Sequence, residues 1–264
     1  MKKLLLLMLP LTLLLAGCSI TPGNEIGPDA TGVWDTIIMW FSYGMIWIGS
    51  VMGDNIINGL IVMTILFRLA MVPLFKAQIK TSSQMGAMKP EMDKIKKKYD
   101  GKNDVDSKRK MQEDTAALYK RHNINPLAGC LPMIVQMPLL FAFYAAISNL
   151  LVYEGLAKFG AESMSQSFLI WSDLGQPVVI FAFLAAITTY LTTVVSTYGT
   201  DQGDNQMMKS MKIVMPVMIF FMGVNFPGAL SLYWLIGNVF TIIQNLIMKR
   251  DVIKAHRDRK KMNK

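Results

Sequence analysis

Long apolar runs separated by short polar stretches dominate the pattern along this chain. A basic start, Lys2-Lys3, leads into the apolar run Leu4 to Leu15 and the small-residue stretch Ala16-Gly17 before Cys18. That run is too short to span a bilayer comfortably, but it has the plan of a secretory signal. Residues 1–17 are therefore expected to be removed and 18–33 to form an anchor and linker. Residues 34–53 are apolar but carry Asp35, Ser42 and Gly49 at seven-residue spacing, which reads as a narrow polar stripe on a helix. Trp34, Trp40, Tyr43 and Trp47 are types that favour the headgroup region, so this segment is predicted to lie in the outer interface as an amphipathic helix.

Five crossings follow. The first span, within 54–77, has its apolar run over Ile56 to Phe75; the second covers 127–151 and the third 178–195. The fourth and fifth fall within 213–248, as Ile213 to Phe226 and Leu230 to Met248. The fourth is at the lower limit for about 30 Å of hydrocarbon, and the turn at Asn225, Pro227 and Gly228 suggests a hairpin that thins the bilayer locally. An outer loop, 152–177, and a cytoplasmic loop, 196–212, complete the connections. Between spans one and two, residues 78–126 carry apolar positions at helical spacing in two stretches, Gln84 to Tyr99 and Val105 to His122. The turn-forming run Asp100 to Asp104 separates them, which predicts a helical hairpin. The methionine stripe Met85, Met88 and Met92 has two readings: an adaptable contact surface, or packing of one hairpin helix on the other.

Composition supports the membrane reading. The 264 residues are 52% hydrophobic and 17% charged, with 22 methionines, against about a quarter charged in ordinary soluble domains. Net charge is +9, and the basic residues crowd into Lys76 to Arg121 and the tail 249–264. With an outside N-terminus and five crossings, both segments fall in the cytoplasm, as positive charge prefers. A sixth crossing at 34–53 would put them outside. No nucleic-acid motif accompanies the charge. Of the two cysteines, Cys130 reads as a small buried thiol. Cys18 follows Leu15-Ala16-Gly17 in a pattern resembling the bacterial lipobox, which implies a diacylated N-terminus outside the cell, a palmitate-type anchor.

Arg68 is the position that needs a physical reason. It lies about 18 Å of helix beyond Ile56, past the midplane toward the cytoplasm. Burying that charge costs from a few to over ten kcal/mol. No Asp or Glu occurs within the five apolar runs to neutralise it. Either it snorkels to the inner headgroups or it sits in a water-filled cavity open to the cytoplasm. Thr64, one turn away, and Gln136, Thr188, Thr192, Tyr233, Trp234 and Asn238 on other spans are candidate cavity residues, with Thr189, Thr193, Ser231, Thr241 and Gln244 nearby in sequence. Some of these are expected to serve as interhelical hydrogen bonds instead. Such a cavity attracts an acidic or polar segment partway into the membrane, and burial of the segment's apolar neighbours then supplies the driving force.

Asn125-Pro126-Leu127-Ala128-Gly129-Cys130-Leu131-Pro132-Met133-Ile134-Val135-Gln136-Met137-Pro138 closely resembles the second-span signature of the YidC family of membrane protein insertases. Thr64-Ile65-Leu66-Phe67-Arg68 with Pro73-Leu74 resembles its first span, Leu232-Tyr233-Trp234 with Asn238 its fifth, and Lys89-Pro90-Glu91-Met92 the start of its cytoplasmic hairpin. The resemblance runs over about residues 34 to 250 and points to the lipoprotein form of Gram-positive bacteria. It implies an all-α integral membrane protein of five transmembrane helices around a hydrophilic groove open to the cytoplasm, with Arg68 meeting nascent membrane protein clients. It also implies work alone or with the Sec translocon and weak ribosome contact through basic cytoplasmic parts, where anionic lipid is the cheaper partner. A monomer in the plasma membrane, with no cofactor or metal, is expected. An enzyme is disfavoured, because His122 and His256 are predicted cytoplasmic, no HExxH motif occurs, and the spans hold no acid. A carrier or channel for a small anion using the same arginine is the competing reading.

Overall fold

The computed structural model describes residues 32–102, 104–124, 131–152, 173–198 and 206–250, with the backbone alone at 82, 89, 131–135, 151, 152 and 206–208. The signal, Cys18, most of the linker, the start of the second-span signature, most of the outer loop, the middle of the 196–212 loop and nearly all of the tail lie outside the described residues. Among those described, every regular element is a helix. In chain order these are α1 (Val33–Val51), α2 (Ile56–Ala70), α3 (Val72–Ala87), α4 (Lys89–Lys98), α5 (Val105–Arg121), α6 (Leu131–Val152), α7 (Val179–Thr197), α8 (Gln206–Gly223) and α9 (Gly228–Met248). By length and composition, α7 and α9 each suffice to cross a membrane, and Gln136–Leu150 of α6 is apolar but shorter.

The chain forms two compact units. Among the described residues, one holds 32–71, 133–152, 173–192 and 214–241. In it, α1 stops where Gly53 and Asp54 take left-handed conformations, φ 89° and 54°. Asn55 then caps α2, its side chain accepting from the Ile57 amide at 2.9 Å. The chain bends by 117° across this turn, so α1 and α2 do not form one straight span. Of the polar stripe on α1, Ser42 and Gly49 are buried and Asp35 is half-buried, and the Ser42 hydroxyl donates to the Ile38 carbonyl at 2.9 Å. Small residues on this face let two backbones meet. A Cβ on Gly59 of α2 would collide with the Met45 carbonyl, and one on Gly49 would come within 2.9 Å of the Asn55 carbonyl oxygen. The outward face of α1 is aromatic, with Trp40 63% and Trp47 69% exposed.

Behind α1 the core runs through Phe41, Phe143 of α6 and Tyr233 of α9. Ring centroids are 4.8 Å apart for the first pair and 4.7 Å for the second, which is stacked. The segment before α7 closes the start of α9: the Gly228 and Ala229 amides donate to the Gln176 and Leu174 carbonyls at 2.9 and 3.0 Å. Two amides that a helix start normally leaves without partners are thereby satisfied.

Helix ends and apolar runs part company at two places. The first apolar run continues to Phe75, but α2 ends at Ala70 because Pro73 has no amide to continue the ladder and its ring crowds the preceding turn. After that break α3 continues to Ala87, since no further Gly or Pro interrupts Leu74 to Met85. The fourth helix begins at Gln206 rather than Ile213 and ends at Gly223 rather than Phe226. Gln206 to Lys212 are good helix formers, so the helix outruns its apolar stretch and takes in residues expected in a loop. Gly223 closes it in a tight place, where a Cβ would sit 2.7 Å from both Ala182 Cβ and Ser231 Oγ.

The second unit, among the described residues, holds 72–102, 104–124, 131–132, 193–198, 206–213 and 242–250, and includes the predicted hairpin. Met88, Leu118 and Ile124 are buried together, with Met85, Met92, Ile95 and Tyr119 packed against them. The methionine stripe, Met85 of α3, Met88 between the helices and Met92 of α4, thus gathers against Leu118 and Tyr119 of α5. On α5, Ala116 is exposed, and Met111 is half-buried outside this cluster. Asp104 caps α5, accepting from the Ser107 amide at 2.8 Å, and that bond holds its carboxyl below the usual range. Asp114 ties the helices together, accepting from Lys98 Nζ at 2.8 Å and from the Tyr99 hydroxyl at 2.9 Å. At the other end, Glu91 meets His122 at 3.0 Å and Arg121 at 3.8 Å.

Gly59→Ala is expected to destabilise the α1–α2 pair by about 1–3 kcal/mol, because backbone rather than a flexible side chain must yield; thermal unfolding in detergent micelles against wild type checks this. A second expectation concerns acid. The Lys98 hydrogen bond holds the Asp114 carboxyl below its usual range, and Asp114 raises Lys98. The tie is therefore complete above the unfolded Asp value, about 3.9, and is lost as pH falls through the lower folded value. Its lysine side fails only as pH rises through a folded value above the usual one. The Tyr99 ring resonances should move with a midpoint below about pH 3.9, and Asp114→Asn should abolish that transition.

Candidate functional site: a buried arginine on the second helix

Arg68 lies in the last turn of α2 and is 9% exposed. Its Nη1 donates to Thr241 Oγ1 on α9 at 3.5 Å, a long bond. Thr241 in turn donates to the Gly237 carbonyl at 2.8 Å. Among the described residues no carboxylate forms an ion pair with Arg68. A guanidinium carries five N–H donors in a rigid fork, so one hydroxyl leaves most of its capacity for other groups.

The predicted neighbours divide into three sets. Thr64 is buried one turn from Arg68, and its hydroxyl donates to the Leu60 carbonyl of its own helix at 2.7 Å. Gln136 of α6 donates to the Tyr233 hydroxyl at 2.7 Å, and Tyr233 interacts electrostatically with Arg68. This brings Arg68, Gln136 and Tyr233 into one region. Trp234, next to Tyr233 in sequence, is buried within the apolar core.

Asn238, Thr188 and Thr192 form the third set. The Asn238 amide donates to Thr189 Oγ1 at 2.8 Å, and to Thr188 Oγ1 and the Ala185 carbonyl, each at 3.3 Å. Thr192 returns a bond to the Asn238 carbonyl at 3.4 Å. These residues fasten α7 to α9. On α9, Tyr233, Gly237 and Thr241 step by four along one face, while Trp234 and Asn238 step along the next.

Gly237 had no place among the sequence candidates. The available signal was a glycine inside an apolar helix four residues before a threonine, and only the fold reveals what lies against it. The chemistry of the site is that of a fixed cation with hydroxyl and amide neighbours. Among the described residues no group of three or more His, Cys, Asp or Glu gathers as metal ligands would.

Comparison with known proteins finds relatives over most of the chain. Membrane protein insertase YidC 2 of Bacillus anthracis is 39% identical over 261 residues, covering 97% of this chain and 97% of that protein. Membrane protein insertase YidC 2 of Listeria innocua is 38% identical over 252 residues, covering 94% of this chain and 83% of its own length. Membrane protein insertase MisCA of Bacillus subtilis is 37% identical, covering 96% and 93%. The fold is similar to a solved structure described as an active YidC insertase with the first transmembrane domain resolved, with a TM-score of 0.62 and 24% identity. That match covers 82% of this chain and 47% of the other, so this chain spans about half the length of that structure. Residues 47–256 match the 60Kd inner membrane protein family, and the chain belongs to that family.

Proposed function

We propose that this chain is a membrane protein insertase and chaperone. It takes client transmembrane segments from the cytoplasm into the bilayer through a positively charged hydrophilic groove centred on Arg68. The observation that carries this reading is the buried guanidinium of Arg68, held by a threonine hydroxyl with no carboxylate partner among the described residues. A fixed cation at that depth attracts an acidic or polar client segment and shortens the hydrocarbon path it must cross. Burial of the client's own apolar surface, at about 25 cal/mol per Å², then drives the segment into lipid. The insertases at 37–39% identity, matched over nearly the whole chain, support the same reading.

In this proposal the chain crosses the membrane five times, with a diacylated Cys18 outside and the basic tail in the cytoplasm. The outward aromatic face of α1 suits the outer headgroup layer, where Trp and Tyr rings are at home. The hairpin of α4 and α5 carries an exposed basic surface suited to anionic lipid and, more weakly, to the ribosome. Thr64, Gln136, Thr188, Thr192, Tyr233, Trp234 and Asn238 border or brace the groove. The Sec translocon is a partner for some clients, and the chain works as a monomer without cofactor or enzymatic chemistry. A carrier for small anions is the second reading, because an arginine without a carboxylate partner also suits a soluble anion.

The test is protease protection of a short single-span client with an acidic translocated segment, in pure lipid vesicles. Wild type should protect the client, Arg68→Ala should lower protection several-fold, and Arg68→Lys should retain most of it. Equal impairment by both substitutions would contradict a charge-based role. Solute flux without client protection would favour the carrier.

A further inference from the structure

α9 turns a bare stretch of backbone toward Arg68. A Cβ placed on Gly237 would lie 3.1 Å from both Cζ and Nε of Arg68 and would collide with Nη2. The guanidinium thus rests against the main chain of α9, in space that any other residue would occupy. Glycine is a poor helix former, so its place inside an apolar helix needs a reason, and this contact supplies one. One turn along, the Thr241 hydroxyl gives its proton to the Gly237 carbonyl at 2.8 Å. Its oxygen is thereby oriented to accept, and Nη1 of Arg68 stands 3.5 Å away.

We propose that Gly237 and Thr241 form a seat for the guanidinium, a pair of positioning residues that hold the charge of Arg68 at one depth and in one orientation. An arginine side chain is long and flexible, and one near a membrane surface ordinarily extends toward the headgroups. The seat opposes that motion from two directions. Gly237 provides the space, and Thr241 provides an acceptor whose hydroxyl direction is already set by its own helix. Donors turned away from Thr241 are then presented to a client carboxylate or carbonyl at one depth and in one direction. This proposal rests on the insertase reading.

The experiment uses the full-length protein in vesicles, with the same client protection assay, in a cycle of Arg68→Lys and Gly237→Ala. A lysine has no planar fork to meet the added methyl. Gly237→Ala should therefore lower protection several-fold with arginine at position 68 and change it little with lysine there. Equal losses in both backgrounds would assign Gly237 to helix packing alone and overturn the seat, as would no loss in either. Thr241→Val, which keeps volume and removes the acceptor, should lower protection, and Thr241→Ser should restore it; a valine variant equal to wild type overturns the role of Thr241. If wild type protects no client, the insertase reading fails, and the seat is decided separately by the ¹⁵N–¹H resonance of Arg68 Nε in nanodiscs, assigned by its loss in Arg68→Lys. Gly237→Ala and Thr241→Val should each move that resonance, while Thr241→Ser leaves it near its wild-type position. A resonance unmoved by the first two overturns the seat whatever the protein's activity.

Discussion

Burying the guanidinium of Arg68 removes a full charge from water, at a cost of several kcal/mol that only well-placed partners offset. Its neighbours follow from that constraint. The register of α9 must bring Gly237 and Thr241 opposite α2, because a one-residue slip would rotate both away by about 100°. Asn238 fixes that register from the adjacent face through its bonds to Thr188, Thr189 and Ala185 on α7. Tyr233 fixes it again, one turn before Gly237, through its stack on Phe143 and its bond from Gln136. Residues that look like a scatter of polar positions therefore serve one requirement.

Close backbone approach is the second theme of this unit, and it follows from the membrane setting. Lipid tails are as apolar as leucine, so helices there gain little from burying more hydrocarbon, and shape decides which faces meet. Gly59 against the Met45 carbonyl, Gly49 against Asn55 and Gly223 against Ala182 are three places where a missing side chain allows the contact. Large aromatic residues on α1 are divided accordingly. Phe41 enters the core, while Trp40 and Trp47 remain outside, where a headgroup layer would receive them.

The hairpin unit is built on different terms. Its buried cluster is small, centred on Met88, Leu118 and Ile124, and the ties across it are exposed charge pairs. Such pairs are weak and screened by salt. Local opening is therefore expected to cost less here than in the apolar unit. The adaptable methionines that close the hairpin would be freed by the same opening, so a packing role and a contact role need not exclude each other.

Apolar run lengths, the basic segments and the lone charge at Arg68 are properties of composition and spacing, and they were sufficient for an all-helical membrane protein with a reason to look at one arginine. Helix ends were less legible. Pro73 ends α2 before the apolar run does, and the helix-forming residues Gln206 to Lys212 carry α8 beyond its apolar stretch, because helix propensity and hydropathy are separate quantities. The stripe of Ser42 and Gly49 was visible but its direction was not, since a small polar residue can face water or allow a close helix contact. Gly237 shows the same limit most sharply. A glycine has no side chain to read, and its meaning lies in what another helix places against it. The chain by itself thus determined which segments are helical and apolar and where a charge is stranded among them. Only the tertiary structure decided which faces meet and what holds that charge, because those depend on contacts between residues as far apart as Arg68 and Thr241.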